Sequence, residues 1–323
     1  QVTKNCRDFI KDTILKIFNA IRTEKERNKY IEKFSSPEQR FAVIKVGGSV
    51  IDNDLENLIS SLVFLNQVGL KPVILHGAGP MLSKALEEQK IDFSFIDGQR
   101  VTSVEVRDVA CSVFGETNKK IVNSLEAQGA NAKGVTSNVF ECIMDNADLG
   151  YVGSIQSVNH QLINEILESD SIPVIAPIGF QDDEKLNINA DIATVELVKA
   201  INPYKAIFLS DTGGIFNQRG QLIPNINLAL EYDELMQQEW LHSGMKLKLE
   251  QIKSLLDFLP KTASVSITEP INLPKELFTD SGSGTLIKHG YSVVQHQIPE
   301  KDIQEQFRNI IEKSFSGKLV DNF

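Results

Sequence analysis

Residues 41–49 read Phe-Ala-Val-Ile-Lys-Val-Gly-Gly-Ser. An apolar run that ends in two glycines predicts a strand that leads directly into a helix. A second apolar run, 72–75, leads in the same way into His-Gly-Ala-Gly-Pro at 76–80, where Pro80 suits the first turn of a helix. Two such units in succession predict parallel strands with a helical crossover.

Strand-like and helix-like patterns go on alternating to about residue 290. Further strands are predicted at 138–144, 172–178, 205–210, 263–267 and 285–288, and helices at 55–68, 103–128, 189–200 and 244–259. This order is typical of an α/β protein and predicts a three-layer αβα sandwich with a mainly parallel central sheet.

Both ends of the chain lie outside this alternation. Residues 6–34 predict one long helix, because apolar residues recur at helical spacing opposite a face rich in lysine and arginine. This helix could pack on its own domain, reach another subunit as an arm or lie on a membrane surface, and the acidic residues on its polar face disfavour the last. A further amphipathic stretch surrounds 303–315.

Composition limits the classes of function. The net charge of −10 argues against a general nucleic-acid-binding surface, and no apolar run approaches the length of a membrane span. Three scattered cysteines, Cys6, Cys111 and Cys142, form neither a metal-ligand spacing nor a disulfide framework.

Lys45 is the most informative single residue. A lysine inside an apolar strand is costly unless it meets an anion, and glycines at strand ends expose backbone N–H groups that bind phosphate. The sequence lacks the Gly-x-x-x-x-Gly-Lys-Ser/Thr motif of P-loop proteins. Phosphoryl transfer needs aligned reactants and positive charge, which Lys45, Asp191 and either Lys246 or Lys248 could supply together.

Six segments in a fixed order resemble the amino acid kinase family and, within it, the acetylglutamate kinases. They are Lys-Val-Gly-Gly-Ser (45–49), His-Gly-Ala-Gly-Pro (76–80), Asp-Gly-Gln-Arg-Val-Thr (97–102), Asn-Ile-Asn-Ala-Asp (187–191), Leu-Ser-Asp (209–211) and Gly-Met-Lys-Leu-Lys (244–248). Ala78 replaces a glycine found in many relatives. The resemblance covers about 41–290.

The resemblance implies that ATP phosphorylates the side-chain carboxylate of N-acetyl-L-glutamate, with Mg²⁺ held mainly by ATP and no metal site in the protein. The implied catalytic residues are Lys45, Gly47, Gly48, Asp191 and Lys248. The implied substrate-binding residues are Gly77, Ala78, Gly79, Arg100 and Asn187, with Arg100 on the α-carboxylate. Asp211 and Lys248 are implied at the nucleotide.

The resemblance also implies feedback inhibition by arginine, bound through Glu276, Gly282 and Lys248. It further implies a homo-oligomer, a dimer or a hexamer joined by the N-terminal helix. A histidine often found in the arginine-site pattern is absent from 263–271.

The forms most similar in pattern are fungal, which implies the mitochondrial matrix after loss of a targeting peptide, and acetylglutamate synthase as a partner. The expected organisation is an arm at 1–40 and a kinase domain at 41–290. Within that domain the acetylglutamate lobe is expected at about 41–180 and the ATP lobe at about 181–290. The start of an acyltransferase-like domain is expected at 291–323.

Two other classes of function remain open from the sequence. One is a catalytically silent, arginine-sensing domain of an acetylglutamate synthase, against which the retained Lys45, Asp191 and Lys248 speak. The other is a kinase of the same fold that acts on aspartate, glutamate, carbamate or a nucleoside monophosphate. Arg100 and Asn187 disfavour that reading.

Overall fold

The computed structural model describes residues 42–290, except 68, 204, 242, 261–262 and 279–282. The helix predicted at 6–34, the stretch around 303–315 and Gly282 lie outside the described residues. Within the described part of the chain, no helix is both long and apolar enough to cross a membrane.

The described residues alternate between strands and helices. The strands are β1 (Ala42–Val46), β2 (Val73–His76), β3 (Phe95–Ile96), β4 (Gln99–Arg100), β5 (Ala132–Val135), β6 (Phe140–Ile143), β7 (Ser154–Val158), β8 (Ile172–Ile175), β9 (Ile178–Gln181), β10 (Glu184–Asn187), β11 (Lys205–Leu209), β12 (Asn225–Asn227), β13 (Ser264–Thr268) and β14 (Thr285–Lys288). The α-helices are α1 (Gly48–Asn53), α2 (Leu55–Gln67), α3 (Gly79–Glu88), α4 (Val104–Ala127), α5 (His160–Glu168), α6 (Ala190–Ile201), α7 (Leu228–Met236), α8 (Ser243–Phe258) and α9 (Leu273–Phe278).

Eight strands form the central sheet in the order β12-β14-β13-β11-β1-β2-β8-β5. All neighbours are parallel except β13 and β14. The chain leaves β1 towards β2 on one side, and β11 joins β1 on the other, so the strand order reverses at β1. In parallel α/β sheets such a switch point opens a crevice at the carboxyl ends of the strands.

Side chains of β1 alternate between the two faces of this sheet. Val43 packs into a core that includes residues of α6 and α8, whereas Ala42, Ile44 and Val46 pack into a second core with α1 and α2. Both faces are therefore covered, which confirms the predicted three-layer α/β fold with a mainly parallel sheet.

A second, four-stranded sheet has the order β10-β9-β6-β7. Its strands β9 and β10 form a hairpin, and Phe140, Leu186 and Ile188 of this region join the core on the Val43 face. Strands β3 and β4 form a separate two-stranded hairpin.

The prediction of one strand at 172–178 is wrong. The apolar run is split, because β8 belongs to the central sheet and β9 to the four-stranded sheet. Pro177 lies between them, and the Ile178 N–H turns back to the Ala176 carbonyl oxygen. A proline has no N–H for the central ladder, so the chain leaves the sheet at this point.

Candidate active site

A cavity of about 330 Å³ opens at the carboxyl ends of β1, β2 and β11. Its volume suits a small metabolite. It brings together ten of the residues that the sequence singled out: Lys45, Gly47, Gly48, Gly77, Ala78, Gly79, Arg100, Asn187, Asp191 and Lys248.

Two lysines share one carboxylate at the centre of this cavity. The Nζ atoms of Lys45 and Lys248 each lie 3.0 Å from Oδ1 of Asp191, and Lys248 also lies 3.1 Å from Oδ2. All three side chains are at most 15% exposed. Two cations and one anion leave an excess positive charge in a largely buried place, which favours the binding of another anion.

The local structure accounts for this meeting. Lys45 shares the face of β1 with Val43, and this face is covered by α6 and α8, the helices that carry the other two residues. Asn189 caps α6 by accepting hydrogen bonds from the N–H groups of Asp191 and Ile192, which places Asp191 in the first turn.

Lys248, and not Lys246, makes the contact with Asp191 in the described structure. The two lysines are two positions apart on α8, and residues at that spacing point to different sides of a helix. The Nζ atom of Lys248 also lies 5.5 Å from the ring centroid of the buried Phe208, beneath the cavity.

Burial and neighbouring charge shift the pKa values of this cluster in opposite ways. Burial alone would raise the pKa of Asp191, but the charges and hydrogen bonds of Lys45 and Lys248 hold it well below its ordinary value. Burial, with the charge of Lys45, lowers the pKa of Lys248 to about 8, although Asp191 opposes that shift. Asp191 is therefore a fixed anion and not a candidate proton acceptor.

The glycines that follow β1 and β2 allow two loops to lie in contact. A Cβ on Gly48 would lie 2.8 Å from Cδ of Pro80 and 3.0 Å from the Gly79 nitrogen, so a larger residue does not fit. The Gly47 N–H donates to the Leu209 carbonyl oxygen and the Gly77 N–H to that of Val46. These two N–H groups hold the loops onto the sheet, so the prediction that the Gly47 N–H is exposed for phosphate binding is wrong.

Arg100 reaches the cavity from the β3–β4 hairpin. Asp97 and Gly98 both have positive φ, as a two-residue type I′ turn requires, and this turn sets the pairing of Ile96 with Gln99 and of Phe95 with Arg100. The sequence predicted no strand here, since two-residue strands are too short for a periodic pattern.

The guanidinium of Arg100 contacts two phenylalanine rings that lie edge to face, with its central carbon 4.4 Å from the Phe93 centroid and 4.6 Å from that of Phe95. One terminal nitrogen donates to Ser83 Oγ at 2.7 Å and approaches the Gly79 carbonyl oxygen at 3.4 Å. The other is buried and has no partner among the described residues. Arg100 is 7% exposed, and burial lowers its pKa. A buried donor without an acceptor is costly, which favours an anionic ligand here.

Asn187 is the last residue of β10, which belongs to the four-stranded sheet. Its position in the sequence after residues 172–178 had suggested the end of a central-sheet strand instead. It is 8% exposed and lines the cavity. Its amide nitrogen donates to the hydroxyl of Thr102, which is fully buried.

Sequence reasoning missed several residues around Arg100 and Asn187, namely Ser83, Phe93, Phe95 and Thr102. A signal was present for two of them, because Phe93 and Phe95 alternate as on one face of a strand. Ser83 gave none, and Thr102 closes the motif at 97–102 but was assigned no role, since the partners of both residues become neighbours only in the fold.

Other predicted site residues lie outside this cavity. Asp211 is exposed in the turn after β11, within 3.4 Å of Ser210 Oγ. Glu276 is buried on α9, where it accepts hydrogen bonds from the Ser266 hydroxyl and the Ser283 N–H, and its carboxylate lies 3.6 Å from Lys205. Lys248 contacts Asp191 and not Glu276.

A parallel α/β sheet with two lysines and glycine-rich loops at its switch point is an arrangement suited to binding an anion such as phosphate, and the sequence contains no P-loop motif. The model of the amino acid kinase family matches residues 40–257, and the chain belongs to this family. Together with curated relatives that are named kinases, this family identifies the chain as a kinase.

Two curated relatives are similar over most of the chain. An acetylglutamate kinase of Xanthomonas campestris is 46% identical over 93% of this chain and 71% of its own length. The mitochondrial protein arg11 of Schizosaccharomyces pombe is 40% identical over 93% of this chain but only 34% of its own length.

Among solved structures, an N-acetylglutamate synthase from Neisseria gonorrhoeae in complex with coenzyme A and N-acetyl-glutamate is similar in fold. Its TM-score is 0.73 at 20% identity, covering 90% of this chain and 69% of that one. At this identity the likeness supports the fold alone.

Proposed function

We propose that this chain phosphorylates the side-chain carboxylate of N-acetyl-L-glutamate with ATP, giving N-acetyl-glutamyl 5-phosphate for arginine biosynthesis. The observation that carries the proposal is the pair of lysines on Asp191 in one cavity with the unsatisfied guanidinium of Arg100. N-acetylglutamate carries two carboxylates: Arg100 would bind one of them, while the other would attack the phosphoryl group that the lysines stabilise. The name of the Xanthomonas relative specifies the substrate.

In the proposed reaction, an oxygen of the side-chain carboxylate attacks the γ-phosphorus of ATP, and the bond to the β–γ bridging oxygen breaks, so ADP leaves with that electron pair. The nucleophile is already an anion at neutral pH, and no proton moves. This agrees with a site whose central carboxylate, Asp191, is locked as an anion by Lys45 and Lys248.

The two lysines would stabilise the charge on the transferring phosphoryl group, which is the main contribution a protein makes to this reaction. Asp191 would hold both ammonium groups in place, and the backbone of Gly47 and Gly48 would border the group. Arg100 would bind the α-carboxylate, since a guanidinium forms paired hydrogen bonds with a carboxylate. Asn187 and the 77–79 backbone would hold the rest of the substrate.

The family implies ATP together with a divalent cation. Within the described residues, no group of three or more histidine, cysteine or acidic side chains could hold a metal ion, and Asp191 is occupied by lysines. We propose that Mg²⁺ is held mainly by the phosphate oxygens of ATP, because this ion usually keeps few protein ligands, and that it would neutralise charge on the leaving ADP. Asp211 would lie near the nucleotide in the C-terminal half of the domain.

The decisive test is acyl-phosphate formation trapped with hydroxylamine, with N-acetyl-L-glutamate, L-glutamate and L-aspartate as parallel substrates. We expect product from N-acetylglutamate alone. Product from glutamate or aspartate would assign a different kinase of this fold. If none of the three substrates gave product and the protein still bound arginine, the chain would be an arginine-sensing domain and not an active kinase.

We also propose that arginine inhibits the enzyme at a site that includes Glu276 and Gly282. The buried carboxylate of Glu276 beside Lys205 supports a polar site on α9, separate from the cavity. Glu276→Gln keeps the volume and the acceptor for Ser266 but removes the charge. It should weaken arginine inhibition at least about tenfold while uninhibited turnover changes little. Equal inhibition of both proteins would remove Glu276 from the site.

The relative from Schizosaccharomyces pombe is named mitochondrial, which supports a mitochondrial matrix location as a proposal. We further propose a homo-oligomer, a dimer or a hexamer assembled by the arm at 1–40, and an acetylglutamate synthase as a partner. The kinase domain at 41–290 would hold acetylglutamate in its N-terminal lobe and ATP in its C-terminal lobe, with an acyltransferase-like domain beginning at 291–323.

A further inference from the structure

Thr102 lies directly behind two residues of the cavity without lining it. It follows Arg100 by two positions, between β4 and α4, and is fully buried. Its hydroxyl donates to the Arg100 carbonyl oxygen at 2.8 Å and accepts from the Asn187 amide nitrogen at 3.1 Å. One side chain therefore joins the backbone of the guanidinium residue to the side chain of the asparagine.

The chemistry of this hydroxyl fixes the orientation of the asparagine amide. A hydroxyl carries a single proton, and in Thr102 this proton is donated in the hydrogen bond to the Arg100 carbonyl oxygen. The oxygen of Thr102 can therefore only accept a hydrogen bond from Asn187. An amide turned by 180° would place two oxygens against each other without a proton between them. The amide nitrogen therefore faces Thr102, and the amide oxygen of Asn187 is directed away from it.

The backbone around Thr102 is held independently of the hydroxyl. The Thr102 N–H donates to the Leu149 carbonyl oxygen at 2.8 Å, and its own carbonyl oxygen accepts from the Tyr151 N–H at 2.8 Å. The Asn187 N–H in turn donates to the Tyr151 carbonyl oxygen at 2.9 Å. Loss of the hydroxyl should leave this ladder intact, so its effect can be separated from the folding of the segment.

We propose that Thr102 is a positioning residue that sets the Asn187 amide and the Arg100 segment for the acceptor substrate. This inference rests on the proposed function, because it assumes that Asn187 and Arg100 bind N-acetylglutamate. Thr102 acts through them and does not touch the substrate.

The test compares Thr102→Val, which keeps the shape and removes the hydroxyl, with Thr102→Ser, which keeps the hydroxyl. In Thr102→Val we expect the KM for N-acetylglutamate to rise roughly five- to tenfold, the range set by one lost hydrogen bond and an unpaired buried amide. The KM for ATP and kcat should change less than about twofold. Thr102→Ser should restore the KM to near its original value.

Thr285 supplies a matched control. Its buried hydroxyl also donates to one carbonyl oxygen, of Ile223, and accepts one N–H, of Ile215, but it lies on β14. Thr285→Val should lower the melting temperature about as much as Thr102→Val and leave the KM for N-acetylglutamate unchanged. Equal KM effects in both variants would reduce Thr102 to a structural residue and overturn the proposal.

A double variant tests the route of the effect. In an Asn187→Ala background, Thr102→Val should raise the KM by less than about twofold more, because the amide that it orients is gone. If the effects of the two substitutions on the KM were fully additive, the proposed coupling between Thr102 and Asn187 would be contradicted.

A second measurement does not depend on activity. The side-chain amide protons of Asn187, assigned by their loss in Asn187→Ala, should exchange with water at least about tenfold faster in Thr102→Val than in the unmodified protein. An unchanged rate overturns the proposal even if the protein proves inactive on N-acetylglutamate. Inactivity of the unmodified protein would instead be a failure of the proposed function.

Discussion

Lys45 and Lys248 meet on a single oxygen of Asp191, each at 3.0 Å, where little water reaches them. One carboxylate cannot neutralise two ammonium groups, so the cluster retains positive charge for a ligand. Removing one partner of such a buried group is far more costly than removing a surface charge. We expect the three residues to act as one unit in which no member can be lost without disturbing the others.

Lys248→Met should lower kcat by roughly a hundredfold to a thousandfold, as expected for loss of one group that stabilises transition-state charge. Lys246→Met is the control, because it removes the same charge from the same helix without touching Asp191. It should keep kcat within about twofold. Comparable losses in both variants, measured by steady-state kinetics, would mean that charge on α8 in general matters, and not the contact with Asp191.

The lowered pKa of Lys248, about 8, predicts a limit at alkaline pH. Above that value the side chain loses its proton and its charge, so kcat/KM for ATP should fall as the pH rises through 8. Bound anions favour the charged form, so the corresponding fall in kcat should come at higher pH. Lys248→Arg stays charged and should move the fall in kcat/KM upward by about one pH unit or more. A profile unchanged by the arginine would assign the pKa to another group.

At the scale of the elements, the cavity depends on how closely α1 and α3 approach. Gly48 begins α1 and lies against Gly79 and Pro80 at the start of α3. The two loops that carry the glycines are thereby held side by side at the ends of β1 and β2. The arrangement is a matter of backbone packing, and a side chain as small as alanine would disturb it.

Gly48→Ala should cost at least tenfold in kcat/KM, because its Cβ must displace backbone of the 78–80 loop, which cannot yield as a flexible side chain does. Gly115→Ala is the control, since a Cβ at Gly115 on α4 meets no atom within 4 Å. It should raise stability by about 0.5–1 kcal/mol through the better helix propensity of alanine, with kcat/KM unchanged. Full activity of Gly48→Ala would show that the loops have more freedom than the structure indicates.

Most of the long elements could be read from the sequence, whereas the short elements that carry Arg100 and Asn187 could not. The helix predicted at 103–128 is observed as α4, and its buried side chains recur at helical spacing from Val106 to Leu125. Hairpin β3–β4 and strand β10 are two to four residues long and carry almost no period, yet they place Arg100 and Asn187. Lys45 could be identified from the sequence, because burying a charged side chain in an apolar strand is costly unless it meets an anion. Only the structure shows which lysine of α8 contacts Asp191, because the residue pattern does not distinguish Lys246 from Lys248.

At the scale of the molecule, the described residues that line the cavity come from between Lys45 and Lys248. The central sheet gathers them because its strand order reverses at β1, with α6 and α8 covering the face of Lys45. The proposed regulatory residue Glu276 lies on α9, further along the chain and outside the cavity. Catalysis and regulation should therefore be separable by changes to the chain.

Deletion of residues 1–34 should leave the kcat of the remaining chain within about threefold, because the described residues that line the cavity run from Lys45 to Lys248. It should abolish arginine inhibition and reduce the assembly, since we propose that the helix predicted at 6–34 is the inter-subunit arm that the resemblance to arginine-inhibited kinases implies. Sedimentation velocity and arginine titration measure the two effects. A truncated protein that keeps both its assembly and its inhibition would refute the arm.

The most direct measurement of the central claim is a single turnover followed by ³¹P NMR, with enzyme in excess over ATP and N-acetyl-L-glutamate present. A site built to align a carboxylate with the γ-phosphate predicts that the γ-phosphate signal is replaced by an acyl-phosphate signal before any inorganic phosphate appears, and that Lys45→Met slows this replacement at least a hundredfold. Inorganic phosphate as the first product, or equal rates in the two proteins, would contradict the account.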